Sequence, residues 1–398
     1  MSRCSILLLV LLAVLSGCHT GDVTDLDRVT RSSQAKSIAV DPRFTVYSPY
    51  GGETTDRWAE LIREETDGVA TLFAIDIVEP FTVWLVPLDG DDAVSAFRPS
   101  NHGELGRASA AAFRLYVPKR EVFGAATEDF RGTVRHELTH LCHARSGLSA
   151  PRWAREGIAN EVETMLPDSG ATGLELDPIP IPLAVARLKH REVPLDDLLT
   201  WDPAFARDGP VAYALAQSLV RFLAGHPASP DIRARAASLA QLRTEDVLAR
   251  EREWRDWLDS LDALTSVREL AARDASHRRI AAAKLCELAE FGDESVLSSA
   301  GDRFAIELLS ERDTRVSAAT FLLFFRARAI NEGSLPALAS APDPGVRLVC
   351  FALRQRRGER GDADTIAATW REFEASDASQ ASVMRATLGD IAGEPLSR

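Results

Sequence analysis

The stretch His136-Glu137-Leu138-Thr139-His140 sets two imidazoles four residues apart. That spacing acquires meaning on an α-helix, where residues i and i+4 share one face. The flanking residues predict one amphipathic helix from about Thr127 to Ser146. Phe130, Val134, Leu138 and Leu141 follow a 3.6-residue period and form a core stripe. An advance of roughly 100° per residue turns His136 and His140 more than a quarter turn away from that stripe. One face of such a helix packs and another can bind. Two histidines so placed can ligate one zinc ion, and Glu137, one position on from the first, lies close enough to take a proton from a metal-bound water. The plainer alternative is a surface helix in which two histidines fell at this spacing by chance.

Sixteen residues after His140 comes Glu156, inside Trp153-Ala154-Arg155-Glu156-Gly157-Ile158-Ala159. This resembles the W-x-x-E-G-x-A element of gluzincin metallopeptidases, those of the aminopeptidase-N type and, more closely, the small bacterial peptidase MA-like proteins. The resemblance implies an α+β fold with a zincin-like domain, made of a small N-terminal sheet plus active-site helices. It implies one zinc ion per chain held by His136, His140 and Glu156. It also implies hydrolysis of a peptide or protein substrate by zinc-activated water, with Glu137 as general base and no covalent intermediate. Similar proteins carry a tyrosine near the start of a later helix that stabilises the oxyanion. Tyr213 is the only tyrosine after Glu156 and is the residue to which the resemblance gives that role, the alternative being a half-buried anchor for its helix. In zincins the strand before the metal helix lies at the sheet edge, where an extended peptide can pair with it. Ala111 to Val117 is the matching segment, with plain sheet packing as the alternative.

Departures from neighbouring families narrow the expectation. The metzincin continuation needs glycine at position 143 and histidine at 146, whereas this chain has His143 and Ser146, so that subclass is excluded. No counterpart exists of the Gly-x-Met-Glu-Asn stretch with which aminopeptidase-N relatives hold a free amine, which favours an endopeptidase. His143 lies two turns beyond His136 and is expected at the rim or behind the ligands. Trp153 to Glu163 reads as a second helix on which Glu156, Asn160 and Glu163 share a face while Glu161 points elsewhere. Glu163 is geometrically possible as the third ligand. Glu156 is preferred because it stands near the helix start, matches the family element, and has Gly157 beside it to permit close helix approach.

Upstream, Arg3 followed by the apolar run Ile6 to Leu15 is too short to span a bilayer comfortably and reads as a signal peptide over residues 1–17. It ends Leu15-Ser16-Gly17-Cys18, which looks like a bacterial lipobox that leaves a lipid on Cys18 and anchors the exported protein to a membrane; the alternative is an ordinary secreted protein cut near Gly17. His19 follows where an inner-membrane retention signal would place aspartate, so the outer membrane, facing the periplasm, is expected if the host has two membranes. Residues 18–40 read as a flexible tether. Of five cysteines, Cys142, Cys286 and Cys350 remain once Cys4 leaves with the signal and Cys18 carries lipid, and no disulfide framework is implied. A net charge of −13 without any long basic run argues against a nucleic-acid partner.

A chain of 398 residues with 45% apolar content can fill two cores. Residues 41–262 are expected to form the zincin-like domain. Its elements are strands at Phe44–Tyr47, Phe81–Val86 and Phe113–Val117, and helices at Asp56–Phe73, Val211–Leu223 and Glu251–Leu261. Pro178-Ile179-Pro180-Ile181-Pro182 reads as a rigid extended loop. Residues 263–398 are expected to be all-α. Similar openings near Asp274, Asp313, Asp343 and Asp377, at gaps of 39, 30 and 34 residues, resemble HEAT-like helix pairs, with a generic helical bundle as the alternative. This part contains no acidic-histidine constellation, which leaves it the role of a packing or protein-binding surface. A competing function follows: a lipid-anchored, non-catalytic binding or scaffold protein that keeps the zincin fold as a platform.

Overall fold

The computed structural model describes residues 35–48, 51–87, 106–108, 112–117, 125–168, 173–225, 231–326, 335–359 and 361–392. The expected signal peptide, Cys18 and most of the tether lie outside the described residues, as do Ala111 and the side chain of Phe130. The chain is α+β, and its described residues divide into two compact units between Ser260 and Leu261.

The first unit opens with a mixed five-stranded sheet in the order β1-β2-β3-β5-β4. Strands β1 (Ser37–Asp41) and β2 (Phe44–Ser48) form an antiparallel hairpin. β3 (Phe81–Pro87) runs parallel to both β2 and β5 (Ala112–Val117), and the short β4 (Gly106–Ala108) closes the far edge antiparallel to β5. Two expectations change here. Regular structure begins inside the supposed tether, because Asp41 accepts a hydrogen bond from the Arg43 amide at 3.0 Å and an ion pair from Arg63 at 2.9 Å, which tie the hairpin turn to the next helix. The strand before the His136 helix is also not the sheet edge: β4 pairs with it from Phe113 to Leu115 and takes the edge position.

Helix α1 (Gly52–Leu72) buries Trp58, Leu61, Ile62, Val69 and Leu72 at three- and four-residue spacing and packs on β1 and β2. Helix α2 (Ala125–Arg145) packs against α1 and, after a turn through Gly147 at φ +68°, against α3 (Arg152–Glu163). A two-stranded ribbon of β6 (Leu166–Pro167) and β7 (Leu174–Glu175) leads to α4 (Ile181–Lys189). The proline-rich stretch therefore ends as a helix start and not as an extended loop. Pro180 occupies the N-cap and Pro182 the first turn, where the missing amide proton has no helical acceptor to lose. Helices α5 (Leu195–Thr200), α6 (Asp202–Arg207), α7 (Gly209–Leu223), α8 (Ile232–Ala240), α9 (Thr244–Leu248) and α10 (Glu251–Ser260) complete the unit.

α3 is held between α2 and α7, and two glycines set the spacing on its two sides. A Cβ on Gly157 would stand 2.4 Å from the Ala216 carbonyl oxygen of α7, a clash with backbone, so only glycine lets these helices approach this closely. The residue after Glu156 thus serves the α7 contact. On the other side Gly132 of α2 lies under the Glu163 side chain, 3.2 Å from its Cγ by the same construction.

In the second unit the described residues form eight helices: α11 (Ala263–Ala271), α12 (Ala275–Glu290), α13 (Ser299–Leu309), α14 (Arg315–Phe325), α15 (Leu335–Ala339), α16 (Pro344–Arg356), α17 (Ala363–Ser376) and α18 (Ala378–Ala392). They pack as sequential pairs, and the second helices of successive pairs pack against one another. The recurring aspartate openings stand just before these second helices. Asp274 and Asp343 accept from the amides of His277 and Val346, satisfying donors that a helix start leaves free.

A buried His-His-Glu centre

Residues 133–143 of α2 are buried all round, so this is an interior helix and not the surface helix that the chance alternative requires. Val134, Leu138 and Leu141 fill the core stripe as expected. His136 and His140 turn their rings toward each other with centroids 4.9 Å apart and Nε2 atoms 3.1 Å apart. α3 delivers Glu156 to the same point: its Oε2 stands 3.1 Å from His140 Nε2 and 3.7 Å from His136 Nε2.

These three atoms fit a metal ion. Ligands about 2.0–2.2 Å from a tetrahedral centre stand about 3.3–3.6 Å apart, and the three observed separations bracket that edge. Glu156 Oε2 is buried without a hydrogen bond, an arrangement that costs free energy unless a cation or proton answers it. His136, His140 and Glu156 are the one group of metal-ligating side chains of this kind among the described residues.

Glu163 supplies what sequence alone did not assign. Its Oε2 lies 2.7 Å from His136 Nδ1, and since a carboxylate only accepts, the imidazole carries a proton on Nδ1 and presents Nε2 toward Glu156 and His140. Glu163 thus meets the far nitrogen of His136 and stands outside the cluster formed by His136, His140 and Glu156. Its own end of α3 is fixed from α2: Arg135 donates to the Met165 carbonyl at 2.6 Å and pairs with the buried Glu65 of α1 at 2.9 Å. Periodicity does place Glu163 on the Glu156 face, but only the three-dimensional packing shows which nitrogen it meets.

Electrostatics follow from this crowding. Burial by itself would lower the His136 pKa, yet the adjoining Glu163 and Glu156 carboxylates outweigh it and raise the value to about 10. Burial pushes Glu156 upward, and the two imidazoles overcome that and hold it at about 2. His140 is lowered, chiefly by burial. A protonated His136 and an ionised Glu156 compensate each other, and a dication at the same point would take the place of the proton.

Glu137, next to His136 in the chain, is fully buried. Tyr213, on the first turns of α7, is buried with its ring 6.2 Å from that of His136. It is boxed by Trp201 and Phe205, both edge-on at 83°, with centroids 5.0 and 5.9 Å away. Trp201 holds φ +72° and ψ −61°, a conformation rare for a bulky residue and costing on the order of 1–3 kcal/mol. The Arg152 guanidinium lies over its ring, 5.6 Å from the centroid, and the strained turn closes an aromatic wall against Tyr213 and, through it, beside His136. No sequence signal marks Trp201, because its backbone strain is a property of the α5–α6 junction.

Two further expectations can be followed. Of the two places open to His143, the rim is ruled out: it is buried edge-on to Phe73, and burial lowers its pKa to about 4, so the ring is neutral. Glu161 does point away from the ligands, toward Arg221 at 2.8 Å and Gln217 at 2.9 Å. Cys142 is a buried packing residue whose thiol burial pushes up to about 12, and Cys142, Cys286 and Cys350 form no disulfide among the described residues. Compared with known proteins, the chain matches no family model, no curated protein and no solved structure, and the reading of this centre rests on its own geometry.

Proposed function

We propose that this protein is a zinc-dependent peptidase of gluzincin type, exported and lipid-anchored through Cys18, whose second unit is a HEAT-like surface for a protein partner. The observation that carries the reading is the meeting of His136 Nε2, His140 Nε2 and Glu156 Oε2, with a carboxylate behind His136 and another, Glu137, next to it in the chain. His136, His140 and Glu156 would hold the ion. A zinc ion in such a site lowers the pKa of a bound water to about 7 and polarises a carbonyl.

The chain's own groups account for the remaining steps. Glu137 accepts the proton of the attacking water and returns it to the leaving amine. The Tyr213 hydroxyl donates to the oxygen that gains charge as the carbonyl is attacked. Glu163 keeps the His136 proton on Nδ1, and the Trp201–Phe205 wall fixes the tyrosine ring. Endopeptidase action is favoured because the chain lacks the amine-binding stretch of aminopeptidase-N relatives.

The test is cleavage of a diverse peptide library by zinc-loaded protein lacking residues 1–18, beside its Glu137→Gln variant. Cleavage by the first and none by the second is expected. Equal cleavage by both would remove Glu137 as base. No cleavage by either would favour the scaffold reading.

A further inference from the structure

The cations around the metal centre fall into two groups. Arg135 is spent on Glu65 and the Met165 carbonyl, and Arg152 on Asp202 at 2.9 Å and on the Trp201 face. Arg155, immediately before the ligand Glu156 on α3, is different. It is half-buried, and its guanidinium makes no hydrogen bond or ion pair with any described residue. Its Nε is shut off from solvent and unbonded. It directly precedes Glu156 on α3, which packs on α2, so it leaves the helix beside the residue that meets His140.

A guanidinium held half out of water is costly to leave unanswered, and its planar fork of donors suits a carboxylate better than any other common peptide group. The nearby arginines find carboxylates from other elements, Glu65 of α1 and Asp202 of α6, whereas none of the described residues offers one to Arg155. Resting on the peptidase reading, we infer that Arg155 binds a carboxylate of the substrate close to the scissile bond, so that the preferred substrates are peptides carrying an anionic group there. The group is either a free C-terminus or an aspartate or glutamate side chain.

The two sources differ in consequence. A C-terminal carboxylate would make the enzyme trim chain ends, whereas an acidic side chain would leave it an endopeptidase with an acidic preference.

The test uses zinc-loaded protein lacking residues 1–18 and three fluorescent peptides of one sequence. The first has a free C-terminus and no acidic residue. The second is its C-terminal amide. The third is the amide with one glutamate beside the cleaved bond. Binding is measured by anisotropy in a Glu137→Gln background, which needs no turnover, and kcat and KM are measured in the wild type. One of the two anionic peptides is expected to bind about 10- to 100-fold more tightly than the neutral amide, with the gain in KM.

Arg155→Met should remove that preference while zinc content stays at wild-type level, and Arg155→Lys should keep part of it. Equal binding of all three peptides by the parent protein, or a preference that survives Arg155→Met, would overturn the inference. A preference that depends on Arg155 without hydrolysis of any peptide would sustain the carboxylate site and overturn the peptidase reading alone.

Discussion

Glu156 and Glu161 stand five residues apart on α3, both essentially without solvent exposure, and the fold treats them in opposite ways. Glu161 faces α7 and α8, where Arg221 reaches it at 2.8 Å, Gln217 at 2.9 Å and Arg235 at 3.5 Å. Glu156 faces α2, where its nearest partners are two imidazole nitrogens, and the one guanidinium in its range, that of Arg152, is 3.8 Å away at the other oxygen. A carboxylate matched by guanidinium groups is answered permanently, because arginine does not give up its proton. A carboxylate matched by imidazoles is answered only while one of them is protonated or a metal takes the proton's place. One side of α3 is therefore built for stability and the other for exchange.

The largest expected effect breaks the Glu161 side. Glu161→Ala leaves Arg221 and Arg235 buried without their carboxylate and should cost about 3–5 kcal/mol in denaturant unfolding, to the same extent with and without zinc. A loss below about 1 kcal/mol would show that the arginines find other partners and that the two sides do not differ as described. Glu156→Gln, by contrast, should abolish the stability increment that zinc confers on the wild type.

A smaller effect sharpens the exchange side. Glu163→Gln keeps the size of the side chain but removes the charge behind His136, and should weaken zinc binding about 10- to 100-fold in competition with a chromophoric chelator. Zinc affinity within twofold of wild type would reduce Glu163 to a packing residue over Gly132.

The last effect is the pH dependence, which is gradual. In the metal-free protein His136 is raised from 6.5 to about 10. Its contribution to stability is thus complete below 6.5 and fades as pH rises toward 10. Glu156 is lowered from 4.5 to about 2, so its contribution is complete above 4.5 and fades as pH falls toward 2. Until the pH approaches 10 His136 keeps a proton that zinc must displace. Apparent zinc affinity should therefore rise with pH by about tenfold per unit between pH 6 and 8, with release of about one proton per ion in titrations run in buffers of different ionisation enthalpy. A pH-independent affinity would mean that His136 is already neutral there.

The same contrast explains what the sequence discloses. His136 and His140 are legible because helical periodicity alone puts them on one face, and Glu156 because Trp153, Gly157 and Ala159 frame it in a recognisable element. The long helices and strands β2, β3 and β5 follow from hydrophobic period and β-formers. The helix openings at Asp274 and Asp343 are legible as caps. What escapes is set by partners distant in the chain. The edge position of β4 depends on register with β5, the bond from Glu163 to His136 depends on how closely α3 lies on Gly132, and the strained Trp201 depends on packing against Tyr213. Pro182 misleads for a local reason: proline forbids the interior of a helix but suits its first turn.

The most direct measurement of the central claim is anomalous diffraction at the zinc edge from crystals of the zinc-loaded protein. The account predicts one peak per chain about 2.0–2.2 Å from His136 Nε2, His140 Nε2 and a Glu156 carboxylate oxygen, with Glu163 still bound to His136 Nδ1 and the peak lost in Glu156→Gln. A peak coordinated by Glu163 in place of Glu156, or no peak at these side chains after loading, would contradict it.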